Sequence, residues 1–254
     1  MLENGTYFAP DHDEIITLVD GQWIDQEAGW HYGFVGLENI AFGDLDNDGI
    51  EDAAVTLREN MGGTLWTESV LVILNRDGIP VQSANREVYH WTGFVTGMMV
   101  LQGQIILEEN LHDWDDPNCC PSLPAVETMQ FLSEGHLVQR RFISIAEGER
   151  REIAIASPVE GTVVSCSIHV KGSVYHTPLD NLLYYSIRNL VEEELASGSF
   201  SINANGTNAG GTFDTSIDLS MVPAGEPILV YIYNVDYEHY DFLQALDSIF
   251  LLVI

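Results

Sequence analysis

A two-residue alternation of apolar and polar side chains runs through almost the whole chain, whereas the spacing of an amphipathic helix is hard to find. Short turn signals separate several alternating stretches: Asp20-Gly21, Asp77-Gly78, Gln102-Gly103 and Glu134-Gly135. In the first half the predicted strands are Ile15–Val19, Ile40–Phe42, Asp52–Leu57, Ser69–Leu74, Phe94–Leu101, Gln104–Glu108, Glu127–Leu132 and Leu137–Ile143. The pattern predicts an all-β chain whose N-terminal part is an antiparallel β-meander.

Residues 146–152 interrupt this pattern with the charged stretch Ala-Glu-Gly-Glu-Arg-Arg-Glu, which has the composition of an exposed linker. A new series of strands follows over residues 153–254. Seven short strands in about 100 residues is the spacing of an immunoglobulin-like β-sandwich. The sequence therefore predicts an antiparallel β domain over residues 1–145, a linker over 146–152 and an immunoglobulin-like sandwich over 153–254.

The charge of the chain excludes several classes of partner. Its 254 residues include 39 acidic and 9 basic ones, for a formal net charge of −30. Such a surface repels phosphate backbones and anionic lipid headgroups, so we expect neither nucleic-acid binding nor peripheral membrane attachment. Apolar residues make up 46 % of the chain, which is enough to bury a core. No run approaches the roughly 20 apolar residues of a membrane span, so we expect no direct membrane insertion.

The segment from Asp44 to Asp52 carries the strongest chemical signal. It has carboxylates at relative positions 1, 3, 5 and 9 and glycine at position 6, in the order Asp44-Leu-Asp46-Asn-Asp48-Gly49-Ile50-Glu-Asp52. Calcium takes about 6–8 oxygen ligands, alternate residues of a tight loop point inward, and glycine permits the sharp turn. We expect Ile50, at position 7, to offer its main-chain carbonyl while its side chain packs in the core.

The flanks of this segment argue against an EF-hand, because position 12 is Val55 and both flanks are predicted strands. Together with Phe42-Gly43 before it and Ala53-Ala-Val after it, the segment resembles the nine-residue calcium loop of FG-GAP repeats. That resemblance implies one structural calcium ion held by Asp44, Asp46, Asp48, the Ile50 carbonyl and Asp52. Magnesium or an empty loop are the alternatives. Because only one copy occurs, the resemblance does not extend to a propeller fold.

The three cysteines are too few for a disulfide-dense scaffold. Cys119 and Cys120 are adjacent, and Cys166 is distant in sequence. Four interpretations are open: a disulfide between Cys119 and Cys120, a bridge from either of them to Cys166, a metal site that uses His112, Asp116 and a cysteine, or free thiols. A disulfide would indicate an oxidising, extracytoplasmic compartment.

Two longer resemblances concern location. The second half contains Ile153-Ala-Ile-Ala-Ser-Pro-Val-Glu-Gly, Ile168-His-Val-Lys-Gly and Asp247-Ser-Ile-Phe-Leu-Leu-Val. It resembles the immunoglobulin-like domain of bacterial spore-germination (Gmad-type) and related cell-envelope proteins. The first half combines the acidic loop with Met61-Gly-Gly-Thr and an Asp-Pro…Cys-Cys-Pro segment, and is similar to secreted bacterial proteins. These resemblances imply an extracytoplasmic bacterial protein, secreted or attached to the cell surface, with an adhesion or scaffold role.

Patterns typical of catalysis are missing from the sequence, including a Gly-x-Ser-x-Gly elbow, a phosphate-binding loop and a His-Glu-x-x-His motif. We therefore expect a non-enzymatic binding or scaffold protein of the cell envelope, with an envelope protein or polysaccharide as its partner. The alternative is a cell-wall polymer hydrolase that uses paired carboxylates of the N-terminal domain as general acid and base. A redox role of the Cys119-Cys120 pair is a third interpretation.

Overall fold

The computed structural model describes residues 1–25, 33–63, 66–88, 93–113, 116–117, 120–133, 135–178, 180–204, 206, 209–236 and 242–254. Strands make up most of these residues, which include one short 3₁₀ turn, Leu2–Asn4, and no α-helix. Accordingly, the described ranges contain no helical segment with the length and apolarity that a bilayer crossing requires. The predicted all-β class is confirmed.

The chain divides into two compact units. Unit 1 comprises Met1–Ser122 and Thr128–Leu137, and unit 2 comprises Leu123–Glu127 and Val138–Ile254. This division differs from the boundary at residue 145 that the sequence predicts. The reason is that residues 123–137 belong to a long hairpin whose strands contribute to both units. A change of composition along the sequence does not show how such a hairpin is shared.

The predicted linker over residues 146–152 is itself a hairpin. Ser144 pairs with Arg151 and Ala146 with Glu149, around a turn in which Glu147 and Gly148 both have positive φ. Most of its charged side chains point to solvent, which accounts for the linker-like composition of a paired segment.

Unit 1 contains a five-stranded sheet, two hairpins and the segment Thr128–Leu137. The sheet is antiparallel in the order β3-β4-β5-β6-β7, and the hairpins are β1–β2 and β8–β9. The predicted turns Asp77-Gly78 and Gln102-Gly103 have positive φ at both positions, as type I′ hairpin turns require. The strands are β1 (Thr6–Ala9), β2 (Glu14–Thr17), β3 (Gln22–Ile24), β4 (Phe34–Gly43), β5 (Asp52–Asn60), β6 (Thr67–Arg76), β7 (Ile79–Glu87), β8 (Gly93–Leu101) and β9 (Gln104–Leu111).

Strands β5 and β6 are buried on both faces, because a separate apolar cluster covers each face of the sheet. One face, with Val55 and Leu71, packs under the β1–β2 hairpin. The other face, with Val70 and Val72, belongs to a cluster that also contains Leu45. Leu45 is fully buried and lies in the loop between β4 and β5. The core therefore fixes one end of the acidic loop.

Unit 2 is a β-sandwich of two sheets that share one apolar core. One sheet has the order β13-β15-β19-β18, and the other contains the order β17-β16-β20-β21-β11. The short strand β14 pairs in parallel with the C-terminal end of β21. The immunoglobulin-like assignment stays a prediction. The remaining strands are β10 (Leu123–Ser133), β11 (His136–Ala146), β12 (Glu149–Arg151), β13 (Ile153–Ser157), β14 (Val163–Val164), β15 (Ser167–Val174), β16 (Leu182–Arg188), β17 (Glu194–Ser201), β18 (Asn203–Ala204), β19 (Gly211–Asp218), β20 (Pro227–Asp236) and β21 (Phe242–Val253).

Candidate metal centre

The loop that joins β4 to β5 brings three of the predicted carboxylates together. One oxygen each from Asp44, Asp46 and Asp48 lies within 4.8 Å of the other two. Two oxygens bound to one calcium ion are separated by at most about 5 Å, because each calcium–oxygen bond is about 2.3–2.6 Å long. The three carboxylates are therefore close enough to share one cation.

Main-chain N–H groups of the loop orient these carboxylates. The N–H of Asp48 donates to Oδ1 of Asp44 at 3.1 Å and to Oδ1 of Asp46 at 3.3 Å. The N–H of Gly49 donates to Oδ2 of Asp44 at 3.0 Å, and Gly49 has a φ of 84°, a conformation that glycine adopts without strain. The turn that the sequence predicts at Gly49 thus holds two acidic side chains on the inside of the loop.

The fourth predicted carboxylate, Asp52, lies outside this group of three. It is 2 % exposed, and both of its oxygens accept main-chain hydrogen bonds. Oδ2 accepts from the N–H of Leu45 at 3.0 Å, and Oδ1 accepts from the N–H of Asn75 at 2.8 Å. Asp52 therefore joins the start of the loop to the end of β6.

The structure corrects the expectation for the Ile50 side chain. We expected it to pack in the core, but it is 43 % exposed. Ile50 precedes β5 and lies in the loop between β4 and β5, outside the sheet. Its N–H donates to Oδ1 of Asp48 at 2.8 Å, and the role of its carbonyl as a calcium ligand stays a prediction.

Arg76 is the residue at this site that the sequence pattern missed. Its Nη1 lies 2.8 Å from Oδ2 of Asp46 and 3.6 Å from Oδ2 of Asp48. The guanidinium supplies one positive charge to a group of three carboxylates. Arg76 is 30 residues from Asp46 and comes from the end of β6, so no local motif could have indicated it; only the β5–β6 pairing brings it to the loop.

The other metal site considered from sequence finds no support among the described residues. The carboxylate of Asp116 accepts hydrogen bonds from neighbouring residues instead. The donors are the N–H of Asp113 at 2.8 Å, the N–H of Ser122 at 2.6 Å and Oγ of Ser122 at 2.7 Å. The Asp113 hydrogen bond is the main reason that the pKa of Asp116 is lowered. Among the described residues, neither His112 nor Asp116 belongs to a group of three or more side chains close enough to bind one metal ion.

The structure narrows the choice between the cysteine interpretations. Cys120 is disulfide-bonded, whereas Cys166 is an exposed free thiol. The predicted alternative of a bridge to Cys166 is therefore wrong, since Cys166 lies on the surface without a bonded sulfur. Cys119 lies outside the described residues, so its pairing with Cys120 stays a prediction.

Two buried carboxyl groups of unit 1 bear on the hydrolase alternative. Burial raises the pKa of both Glu59 and Glu68. In the β5–β6 register, Glu59 is opposite Thr67 and Glu68 is opposite Arg58. Because successive residues of a strand point to opposite faces, the two carboxyl groups lie on opposite sides of the sheet. They do not share a cleft, as the two carboxylates of a glycoside hydrolase must.

Glu59 has its own partner under the β1–β2 hairpin. Its Oε2 accepts from the N–H groups of Asp11 at 3.2 Å and His12 at 3.3 Å, and lies 2.9 Å from Nδ1 of His12. The side chains of His12 and Glu59 are only 7 % and 1 % exposed. This buried pair ties the β1–β2 hairpin to the sheet and is closed to a polymeric substrate.

Comparison with known proteins adds no assignment: the chain matches no protein-family model, no curated protein and no solved structure. The resemblances to the FG-GAP loop and to the spore-germination domain accordingly stay expectations.

Proposed function

We propose that this chain is a non-enzymatic, extracytoplasmic β protein that binds one structural calcium ion in the β4–β5 loop. The observation that carries the proposal is the group of three carboxylates from Asp44, Asp46 and Asp48, whose oxygens lie within 4.8 Å of one another. Calcium prefers oxygen ligands and tolerates irregular geometry, which suits a short hairpin loop of this kind.

Charge supports a divalent ion at this place. Three carboxylates face one guanidinium, that of Arg76, so the loop keeps an excess of negative charge in the absence of an ion. In this proposal Asp44, Asp46 and Asp48 bind calcium through their side chains and Ile50 through its main-chain carbonyl. Asp52 is the fourth carboxylate of the predicted ligand set. It holds the loop against the end of β6, because its oxygens accept hydrogen bonds from the N–H groups of Leu45 and Asn75.

The role of the ion in this proposal is structural. Extracellular calcium modules have dissociation constants of about 10⁻⁴–10⁻³ M, and calcium at ten times the dissociation constant adds about 1.4 kcal/mol to the free energy of unfolding. The loop joins two strands that are central to unit 1, so ordering it reinforces that unit. The protein then acts as a binding or scaffold module whose partner is a protein or polysaccharide of the bacterial cell envelope.

Thermal unfolding with and without calcium tests this proposal. We expect millimolar calcium to raise the melting temperature of the wild-type protein above its value in a chelator, and magnesium to have a smaller effect. Asp48→Ala should abolish the calcium-dependent shift. Glu14→Ala, which removes one exposed acid of β2, is the matched control and should keep the full shift. An equal shift in both variants would mean that calcium acts only by screening the net charge, and the proposal would be wrong.

A further inference from the structure

A pocket of about 430 Å³ lies in unit 1, next to the start of β5. Phe42, Ala53 and Ile73 are cross-strand neighbours on one face of the sheet and line this pocket together with Leu2 and Ile40. The volume is within the range of about 300–1,000 Å³ that is typical of small-ligand sites.

Exposed apolar side chains mark the open part of this pocket. Phe42 is 56 % exposed and Ile40 is 36 % exposed, whereas Ala53 and Ile73 on the same face are almost fully buried. The layer formed by the 3₁₀ turn and the β1–β2 hairpin covers Val55 and Leu71, but leaves the ends of β4 and β5 accessible. An apolar ligand part placed here would remove Phe42 and Ile40 from water, which is favourable in proportion to the apolar area that it covers.

The charged side chains around the pocket all have the same sign, and the α-ammonium group of Met1 is the opposing charge among the described residues that line it. Glu3, Glu51 and Asp52 line it, and no lysine, arginine or histidine side chain is among the described residues that do so. Glu3 and Glu51 are exposed, so their carboxylates are free to approach a ligand. An anionic ligand would meet three carboxylates and one ammonium group here, an excess of like charge that disfavours it.

We propose that this pocket binds an organic cation, an ammonium group attached to a small hydrocarbon or aromatic part. The apolar part lies against Ile40 and Ile73, and the ammonium group lies toward Glu3 and Glu51. The exposed ring of Phe42 adds a cation–π contact, the same interaction by which aromatic side chains recognise ammonium ligands in other proteins. The side chains that contact the ligand in this proposal differ from Asp44, Asp46 and Asp48, so the proposal does not depend on calcium binding. Asp52 lines the pocket, but its two oxygens accept hydrogen bonds from the N–H groups of Leu45 and Asn75.

Three probes that share a phenylethyl group and differ in charge test the proposal: 2-phenylethylammonium, 2-phenylethanol and 3-phenylpropionate. Each is titrated into the full chain at a fixed calcium concentration while the methyl NMR signals of Ile40 and Ile73 are followed. We expect the ammonium probe to shift both signals and to bind at least about tenfold more tightly than the carboxylate probe. The neutral probe should fall between them.

Single variants assign the effect to the pocket. Glu51→Gln keeps the shape of the side chain and should weaken the ammonium probe by about two- to fivefold, the range expected for one exposed charge pair, while leaving the neutral probe unchanged. Glu14→Gln removes the same charge outside the pocket and should have no such effect. Phe42→Ala should weaken both the ammonium and the neutral probe, and because Phe42 is exposed, this variant is expected to fold.

A last variant separates this site from the metal loop. Asp48→Asn should leave binding of the ammonium probe intact even if it abolishes calcium binding. Loss of ammonium binding in Asp48→Asn but not in Glu51→Gln would place the cation in the acidic loop and overturn the proposal. Equal affinity for the three probes, or a preference for 3-phenylpropionate, would overturn it as well.

Discussion

Replacing Arg76 tests whether its positive charge competes with a calcium ion for the carboxylates of the β4–β5 loop. In the absence of an ion, its guanidinium pairs with Asp46 at 2.8 Å and neutralises part of the carboxylate group. A bound calcium ion would have to share the same oxygens with this positive charge. We therefore predict that Arg76→Gln increases calcium affinity while it slightly destabilises the ion-free protein.

The size of the effect follows from the contact distances. An ion bound to Oδ2 of Asp46 at about 2.4 Å would lie at most about 5 Å from Nη1 of Arg76, given the 2.8 Å between that nitrogen and that oxygen. In water, charges of +2 and +1 at about 5 Å repel each other by about 1.7 kcal/mol. Arg76 is 45 % exposed, so salt screening and side-chain motion reduce this to about 1 kcal/mol, or about fivefold in the dissociation constant.

Calorimetric titration of calcium into both proteins at equal ionic strength measures this difference. The dissociation constant should fall about fivefold in Arg76→Gln, and denaturant unfolding without calcium should show a loss of at most about 1 kcal/mol. Arg150→Gln is the matched control, because Arg150 is equally exposed and pairs with Glu152 in unit 2. An unchanged or weaker affinity in Arg76→Gln would refute the view that Arg76 competes with the ion.

The other predictions concern stability and thiol chemistry. Burial raises the pKa of Glu68, so the folded protein keeps this proton at a pH at which the unfolded chain has lost it. The free energy of unfolding therefore falls as the pH rises from about 4.5 through the raised pKa. Glu68→Gln should reduce this decline in urea titrations between pH 4.5 and 8. Asp52→Ala leaves two main-chain N–H groups without their acceptor and should cost about 2 kcal/mol in the same assay. In native protein a thiol reagent should label Cys166 and leave Cys120 unlabelled, and Cys120 should become reactive after reduction; labelling of Cys120 without reduction would contradict its disulfide state.

Much of the fold could be predicted from alternation, because most strands bury one face against a core. Strand β10 is an example, since its buried and exposed residues alternate along Leu123–Ser133. Strand β7 was missed for a physical reason. It is the edge strand of its sheet, contains Pro80 and has mostly polar or exposed residues, as edge strands that resist further pairing do.

Only the part of the candidate site that lies in one short stretch of sequence could be predicted. The spacing of Asp44, Asp46 and Asp48 identified the group because all three belong to one short loop. The parts played by Arg76 and Asn75 depend on the pairing of β5 with β6, and a spacing pattern carries no information on which distant strand end will lie beside the loop.

A crystal structure of the protein determined at a saturating calcium concentration tests calcium binding by the β4–β5 loop most directly. We predict one ion in this loop, at about 2.3–2.6 Å from oxygens of Asp44, Asp46 and Asp48 and from the Ile50 carbonyl. A loop that stays free of an ion under these conditions, with Arg76 still paired to Asp46, would contradict this prediction.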